Sequence, residues 1–257
     1  MFNAAEDRHS KIVSLLRDQQ FVDIRSLTER LQVSVATVRR DLGELEEAGL
    51  LRRTHGGAVG TNQIGQDLTH AARLVSRQAE KAAIGATAAA MIVDGDAVML
   101  DAGTTSLEVA KRLNSRKGLT AISNGYDIIN EMIRNAGQSV FSVGGQYTES
   151  NRSFRGPLAE QFIRQFNADK LILNASSIDL ERGLICTASP ENAAVQKAMI
   201  EVSSRIIVVA DHTKLTKSSL SVTAKIEDVA VIVTDVGARS IIETAPEKLR
   251  RKFVIAN

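Results

Sequence analysis

The chain has 257 residues, 44% of them hydrophobic and 24% charged, with a net charge of +2. That length suits two domains or one large one, and the balance suits a packed globular chain rather than a disordered or fibrous one. The single cysteine, Cys186, excludes an intrachain disulfide and a cysteine-rich zinc site, and the lack of tryptophan with 4% aromatic residues argues against stacking platforms for single-stranded nucleic acid.

The start, Met1 to Asp18, has no signal-peptide pattern, and the most apolar run, 82–93, is mostly alanine and too short to span a bilayer. A cytoplasmic location is the expectation. Residues 1–60 hold nine basic and nine acidic side chains, so a nucleic-acid reading must rest on where charges sit.

In chain order, Arg8 to Asp18 reads as a helix with Ile12, Leu15 and Leu16 on one stripe. Ile24 to Leu31 reads as a second, with Ile24, Leu27 and Leu31 inward. Gln32 and Val33 make a tight connection. Ser34 then starts a third helix as N-cap, its hydroxyl accepting an N–H of the first turn. Val38, Leu42 and Leu45 fall on one buried stripe. Ala36, Thr37, Arg39 and Arg40 fall opposite, on a face that is small, then hydroxyl-bearing, then doubly cationic. Such a face fits the major groove of DNA, with arginines at guanine or phosphate oxygens. Together these elements make a helix-turn-helix. Gly49 is expected to end the third helix. Leu50 to Thr54 reads as a strand, His55-Gly56-Gly57 as a turn and Ala58-Val59 as a return strand. That is a wing, whose Arg52, Arg53 and His55 would clamp the DNA backbone, with Glu44, Glu46 and Glu47 just beyond the reading face.

Residues 61–66 are rich in glycine, asparagine and glutamine and read as a linker. One alanine-rich helix is expected over about Ala71 to Ile92, interrupted at Gly85. From Asp94 onward short β-type runs alternate with helical patterns: strands at 97–100, 120–122, 139–143, 170–173, 206–210 and 229–233, and helices at 106–113, 127–136, 157–166 and 193–202. This alternation predicts a mainly parallel sheet covered by helices.

Ligands of open α/β sheets bind at the carboxyl ends of strands. The first such end carries Asp101, Gly103, Thr104, Thr105 and Ser106 before a helix. Free backbone N–H groups, the helix dipole and three hydroxyls there suit a phosphate, and equally suit a simple helix cap. Neither a Walker loop nor a Gly-x-Gly-x-x-Gly fingerprint is present, which disfavours ATP and dinucleotides. Ser123 and Asn124, Gly144 and Gly145, and Asp211 with Lys214 end further strands on the same expected edge. Hydroxyl, amide, glycine and lysine converging there suit a small phosphorylated polyol, with Lys214 as point charge. Ser189 and Pro190 are expected to open a helix. Glu191 would sit in its first turn, or face the pocket and hold sugar hydroxyls. The histidines His9, His55, His70 and His212 are dispersed without metal-ligand spacing, and Cys186 has no basic neighbour. Neither a metal nor a cofactor is expected.

These residues together resemble the DeoR family of bacterial transcriptional regulators. The resemblance is carried by Val33-Ser34 through Thr37-Val38-Arg39-Arg40-Asp41-Leu42, by Arg53-Thr54-His55-Gly56-Gly57-Ala58, and then by Glu80-Lys81, Asp94-Gly95-Asp96, Asp101 to Thr105, Ser123-Asn124, Gly144-Gly145, Ile178-Asp179, Gly183-Leu184, Asp211 and Lys214. It implies a mainly α winged helix-turn-helix over 1–60, a linker over 61–72, and an α/β effector-binding and oligomerisation domain over 73–257. The latter would be similar in fold to ribose-5-phosphate isomerase and CoA transferases. It further implies a homodimeric or homotetrameric repressor of a sugar or polyol catabolic operon, bound to double-stranded operator DNA and relieved by a phosphorylated intermediate. DNA would meet Ser34, Ala36, Thr37, Arg39, Arg40, Arg52, Arg53, His55, Gly56 and Gly57. The effector would meet the strand-end residues above together with Asp179 and Glu191. Two positions depart from the family pattern: Asn124-Gly125 stands for Asn-Ser, and Ser177 for a glycine before Ile178-Asp179. An isomerase-like enzyme with an appended DNA-binding domain, and a helix-turn-helix used for protein docking, are the alternative readings.

Overall fold

A computed structural model describes residues 4–19, 21–47, 50–54, 56–60, 70–134, 137–216 and 219–257. His55, Gly49 and residues 61–69 of the expected linker lie outside the described residues. The chain divides into two compact units, Met1–Ser76 and Arg77–Asn257.

The first unit contains α1 (Ala4–Asp18), β1 (Phe21–Asp23), α2 (Ile24–Leu31), α3 (Val35–Glu47), β2 (Leu51–Thr54), β3 (Gly57–Gly60) and α4 (His70–Val75). Ile12, Leu16, Leu27, Val38, Leu42 and Leu45, spaced three or four apart within their helices, pack with Val22, Leu51 and Ala58 into one core. Asp23 caps α2 by accepting the Ser26 N–H at 2.9 Å, and Gln32 ends it in the left-handed conformation. The strands form an antiparallel sheet in the order β1-β3-β2. Strand β1 was not expected from the sequence, since three residues carry too little periodicity to read. It presses so closely on β3 that a Cβ at Gly57 would lie 2.2 Å from the Val22 carbonyl oxygen.

The second unit runs α5 (Gln78–Ala89), β4 (Ala97–Leu100), α6 (Thr104–Leu113), β5 (Thr120–Ser123), α7 (Tyr126–Met132), β6 (Ser139–Ser142), β7 (Gln146–Thr148), β8 (Ser153–Arg155), α8 (Pro157–Ile163) and β9 (Ala168–Asn174). It continues with β10 (Ser177–Asp179), β11 (Leu184–Thr187), α9 (Pro190–Glu201), β12 (Ser203–Val209), β13 (Ser221–Lys225), β14 (Val231–Asp235), α10 (Arg239–Glu243), α11 (Glu247–Arg250) and β15 (Phe253–Ala256). Seven strands form one sheet in the order β15-β14-β12-β9-β4-β5-β6, and every pairing in it is parallel. Alternate residues feed opposite cores, as the two-residue strand period requires. Val98, Leu100, Ile172, Ile207 and Val209 meet Ile84, Leu113 and Met132 of α5, α6 and α7. Met99, Leu171, Leu173 and Val208 meet Ile163, Val195 and Met199 of α8 and α9. The antiparallel sheet β10-β11-β13 and the hairpin β7-β8 stand apart from the main sheet.

The single helix expected over 71–92 is two helices, and the break is not at Gly85. It falls at Arg77, whose backbone is left-handed with φ 51° and ψ 45°. Gly85 is instead buried within α5, where a Cβ would come within 2.8 Å of the Glu108 backbone of α6. The glycine permits close helix packing, which outweighs its poor helix propensity. No helix among the described residues is long and apolar enough to cross a membrane.

Candidate functional site

In the first unit, Ser34 caps α3. Its hydroxyl accepts the Thr37 N–H at 3.1 Å and lies 2.9 Å from the Thr37 hydroxyl. Ala36, Arg39 and Arg40 are exposed and Thr37 is half-buried. A cleft of about 460 Å³ joins the start of α2, the start of α3 and the wing turn, lined by Asp23, Arg25, Thr28, Val35, Arg39 and Gly56. Those three segments therefore share one face.

Asp41, on the far side of α3, is buried. Arg8 donates to it from Nε at 2.8 Å and Nη2 at 3.0 Å, and His9 Nε2 lies 3.2 Å away. Burial pushes this carboxyl up, but Arg8 and His9 outweigh it and hold Asp41 below its ordinary range. The contact ties α1 to α3. Glu44 lies close enough to His9 and Asp41 for the three to share a cation, a proximity that dispersed histidines did not suggest. The Arg8 guanidinium already supplies the positive charge there.

The wing arginines differ. Arg53 donates its backbone N–H to Glu46 at 2.7 Å and its Nε at 2.6 Å. The Arg53 N–H, then its side chain, hold the Glu46 carboxyl low. The pair fastens β2 to α3 and spends Arg53's charge within the protein. Arg39, Arg40 and Arg52 have no ion-pair partner among the described residues. Gly56 is exposed and its carbonyl accepts the Ile24 N–H at 3.0 Å, while Gly57 is buried and its lack of a side chain serves the sheet.

In the second unit, successive strands run to opposite sides of β4: β5 and β6 on one, β9 and then β12 on the other. The crevice at such a reversal is where open α/β sheets bind ligands. Asp101 and Gly103 follow β4 there, and Asn174 ends β9 beside them. Asn174 Nδ2 donates to the Asp101 carbonyl at 2.9 Å and to the Ser106 hydroxyl at 2.6 Å. Its backbone N–H reaches Asp101 Oδ2 at 3.1 Å. Gln196 of α9 donates from Nε2 to Asp101 Oδ2 at 2.8 Å and to the Asn174 carbonyl at 3.0 Å. Thr223 of β13 donates to Gln196 Oε1 at 2.8 Å, which fixes the amide's orientation. Burial pushes Asp101 up to about 6 against these donors. Asn174 also explains Gly103, because a Cβ there would lie 2.5–2.7 Å from the Asn174 carboxamide.

This network holds the start of α6 from behind. The helix's first intrahelical bond is Leu107 N–H to the Gly103 carbonyl at 3.0 Å. The N–H groups of Thr104, Thr105 and Ser106 precede it and are the orphan donors of a helix start. Gly103 supplies no side-chain cap. Thr104 and Thr105 are buried, and their hydroxyls enter no hydrogen bond among the described residues. Ser106 differs, since Asn174 engages its hydroxyl.

Other expected residues serve the framework. The Ser123 hydroxyl donates to the Leu100 carbonyl at 2.7 Å and accepts the Gly125 N–H at 3.0 Å. Asn124 accepts the Ala102 N–H at 3.0 Å and donates to the Phe154 carbonyl at 3.2 Å. Gly144 and Gly145 are exposed after β6, and Gly145 is left-handed at φ 137°. Asp179 lies in the small antiparallel sheet and accepts the Arg182 N–H at 2.9 Å, closing a hairpin. Ser189 and Pro190 open α9 as expected, the Ser189 hydroxyl accepting the Asn192 N–H. Glu191 is exposed in that first turn, 3.8 Å from Arg155.

At the end of β12, burial pushes Asp211 up, but Lys214, Thr213 and Arg77 outweigh it and hold the carboxyl below its ordinary range. Arg77 Nε stands 3.9 Å from Asp211. Asn174, Gln196 and Arg77 were not found in the sequence. Asn174 and Gln196 lie far along the chain from Asp101, as Arg77 does from Asp211, and none sits in a pattern of its own.

Two family models match the chain, the DeoR-like helix-turn-helix domain over residues 8–63 and the DeoR C terminal sensor domain over residues 76–236. Transcriptional repressor AccR of Agrobacterium fabrum is 70% identical over 257 residues, 100% of both chains. HTH-type transcriptional regulator GlpR of Haloferax volcanii is 33% identical over 89% of each chain. HTH-type transcriptional repressor CsqR of Escherichia coli K12 is 32% identical over 89% of this chain and 87% of its own. Among solved structures, ribose 5-phosphate isomerase A from Methanocaldococcus jannaschii shares 12% identity and a TM-score of 0.42 over 55% of each chain. With both of its parts matched and a relative this similar along its whole length, the chain belongs to the DeoR family of transcriptional regulators, a regulator of transcription and not an enzyme.

Proposed function

We propose that this chain is a transcriptional repressor whose hold on operator DNA is released by a phosphorylated sugar or polyol. Residues 1–60 form the DNA-binding domain, 61–72 the linker and 73–257 the effector and oligomerisation domain. Ser34, Ala36, Thr37, Arg39 and Arg40 enter the major groove, and Arg52, His55 and Gly56 meet the backbone beside it. Arg53 contributes by holding the wing. Two copies act together, because one short helix reads only a few base pairs and half-sites then fall about one helical turn apart.

The observation that carries the effector reading is the start of α6. Its orphan N–H groups and the Thr104 and Thr105 hydroxyls stand free, while Asn174 braces the loop from behind. Lys214 and Arg77 at the end of β12 lie two strands from β4, a span of about 10 Å. A small polyol phosphate bridges that distance, with its phosphate on cations or helix start and its hydroxyls on the amides between. The relatives named as repressors support the sign of the regulation.

The test is a titration of fluorescent DNA from the chain's own promoter region, at several salt concentrations, with a panel of pentose and hexose phosphates added. The reading expects tight binding with a steep salt slope, and release by at least one phosphorylated sugar but not by its unphosphorylated parent. Binding that ignores salt, or release by no sugar phosphate, contradicts it.

A further inference from the structure

We propose, resting on the effector reading above, that His212 binds a hydroxyl of the effector through its Nε2 and so helps to set which sugar or polyol phosphate is accepted. The residue stands in the turn that follows β12 and also carries Lys214.

The imidazole is held on one edge and open on the other. Asp235, which ends β14, is 3% exposed. Its Oδ1 lies 2.7 Å from His212 Nδ1, and its Oδ2 accepts the His212 backbone N–H at 2.7 Å. The Gly237 N–H donates to the same Oδ1 at 2.9 Å. The ring also explains Gly237, where a Cβ would stand 2.7 Å from His212 Nδ1 and 2.9 Å from its Cγ. Gly237 is not left-handed, so space and not backbone conformation calls for glycine there. A carboxylate only accepts, so the hydrogen of the neutral ring sits on Nδ1 and the lone pair on Nε2. Nε2 enters no hydrogen bond among the described residues and is not sealed from solvent. No three metal-ligating side chains gather at His212 among the described residues, which leaves a hydrogen bond as the use of that lone pair.

The sheet puts this group near the proposed effector loop. Ile207 and Val209 of β12 and Val231 and Val233 of β14 face the core that they share with α6. Strand alternation carries Asp235 onto the same face. Helix α6 starts on that face at the end of β4, two strands from β12, or about 10 Å. A lone pair accepts an O–H and repels an ionised phosphate oxygen. The polyol part of the effector therefore lies at His212, and its phosphate lies elsewhere along the edge.

A ring that served only to satisfy Asp235 would show the same bonds, and His212→Asn separates the two roles. The asparagine N–H takes the place of Nδ1–H and still reaches Asp235, while nothing replaces Nε2. The full natural chain and His212→Asn are titrated by calorimetry with inorganic phosphate and with the panel of pentose and hexose phosphates. Without probe, His212→Asn is expected to melt close to the natural chain. The sugar phosphate that the natural chain binds best is expected to bind His212→Asn about tenfold more weakly, the loss of one hydrogen bond, while inorganic phosphate binds both alike. A second measurement needs no variant. In the natural chain with ¹⁵N-labelled histidine rings, the His212 Nε2 resonance is expected to shift on saturation with that sugar phosphate and to stay in place with inorganic phosphate. Equal affinity of the two chains for the sugar phosphate overturns the proposal, as does a loss shared equally by inorganic phosphate, or an Nε2 resonance that the bound sugar phosphate leaves unmoved. A natural chain that binds no sugar phosphate overturns the effector reading itself, which separates the two failures.

Discussion

Gly103→Ala is the substitution whose consequence follows most directly from the coordinates. The new methyl would stand 2.5–2.7 Å from the Asn174 carboxamide, far inside contact distance. Asn174 cannot swing aside without giving up its bonds to the Asp101 carbonyl and the Ser106 hydroxyl. Each such bond contributes about 1 kcal/mol net, so the cost is about 2–3 kcal/mol. For a chain of this size that lowers the melting temperature by about 4–12 °C. Thermal unfolding followed by circular dichroism measures it. The cause is tested by adding Asn174→Ala. If the clash is the mechanism, the double variant is no less stable than Asn174→Ala alone, because the methyl then has room. Additive losses from the two substitutions would refute the reasoning, since additivity is what independent sites show.

Asp101 provides a pH prediction. Its carboxyl rises from 3.8 to about 6 on folding, chiefly through burial. The folded chain thus keeps a proton that the unfolded chain gives up, and stability falls by about 3 kcal/mol as pH rises through about 4 to 6, then levels off. Urea midpoints of the natural chain and Asp101→Asn across that range are expected to diverge in slope; parallel curves reject the assignment. Arg52→Ala is expected to lower the salt slope of promoter binding by about one, whereas Arg53→Ala, already paired with Glu46, changes it less and loosens the wing instead. Equal slope changes would show that Arg53 reaches phosphate. Gly85→Ala drives a methyl to 2.8 Å from the Glu108 backbone, an overpacking expected to cost about 1–3 kcal/mol by urea denaturation. A more stable variant would mean that helix propensity, not packing, governs the position.

The first unit was readable because its determinants are local. Ser34, Val38, Leu42 and Leu45 state their roles through capping and spacing within a dozen residues, and α3 follows them. The parallel sheet was readable for a similar reason, since buried strands announce themselves as apolar runs. What failed was non-local. Gly85 looks like an interruption until α6 is laid against it. Asn174 and Gln196 sit 73 and 95 residues from Asp101. The polar atoms of Ser123 and Asn124 bond neighbouring backbone, a framework contact that no local pattern announced. Glu46 was read as an acid beyond the reading face, and it proved to be the partner of Arg53. The small sheet of β10, β11 and β13 draws on segments separated by a helix and a strand, which no single window contains.

In the proposed function, the edge ending β4, β9 and β12 decides whether α3 stays on DNA. Lys214→Ala tests it most directly, with promoter release followed by fluorescence anisotropy as the active sugar phosphate is titrated in. Operator affinity is expected to equal the natural chain's and the half-release concentration to rise about tenfold or more, the loss of one charged phosphate contact. Release at the natural concentration would contradict it.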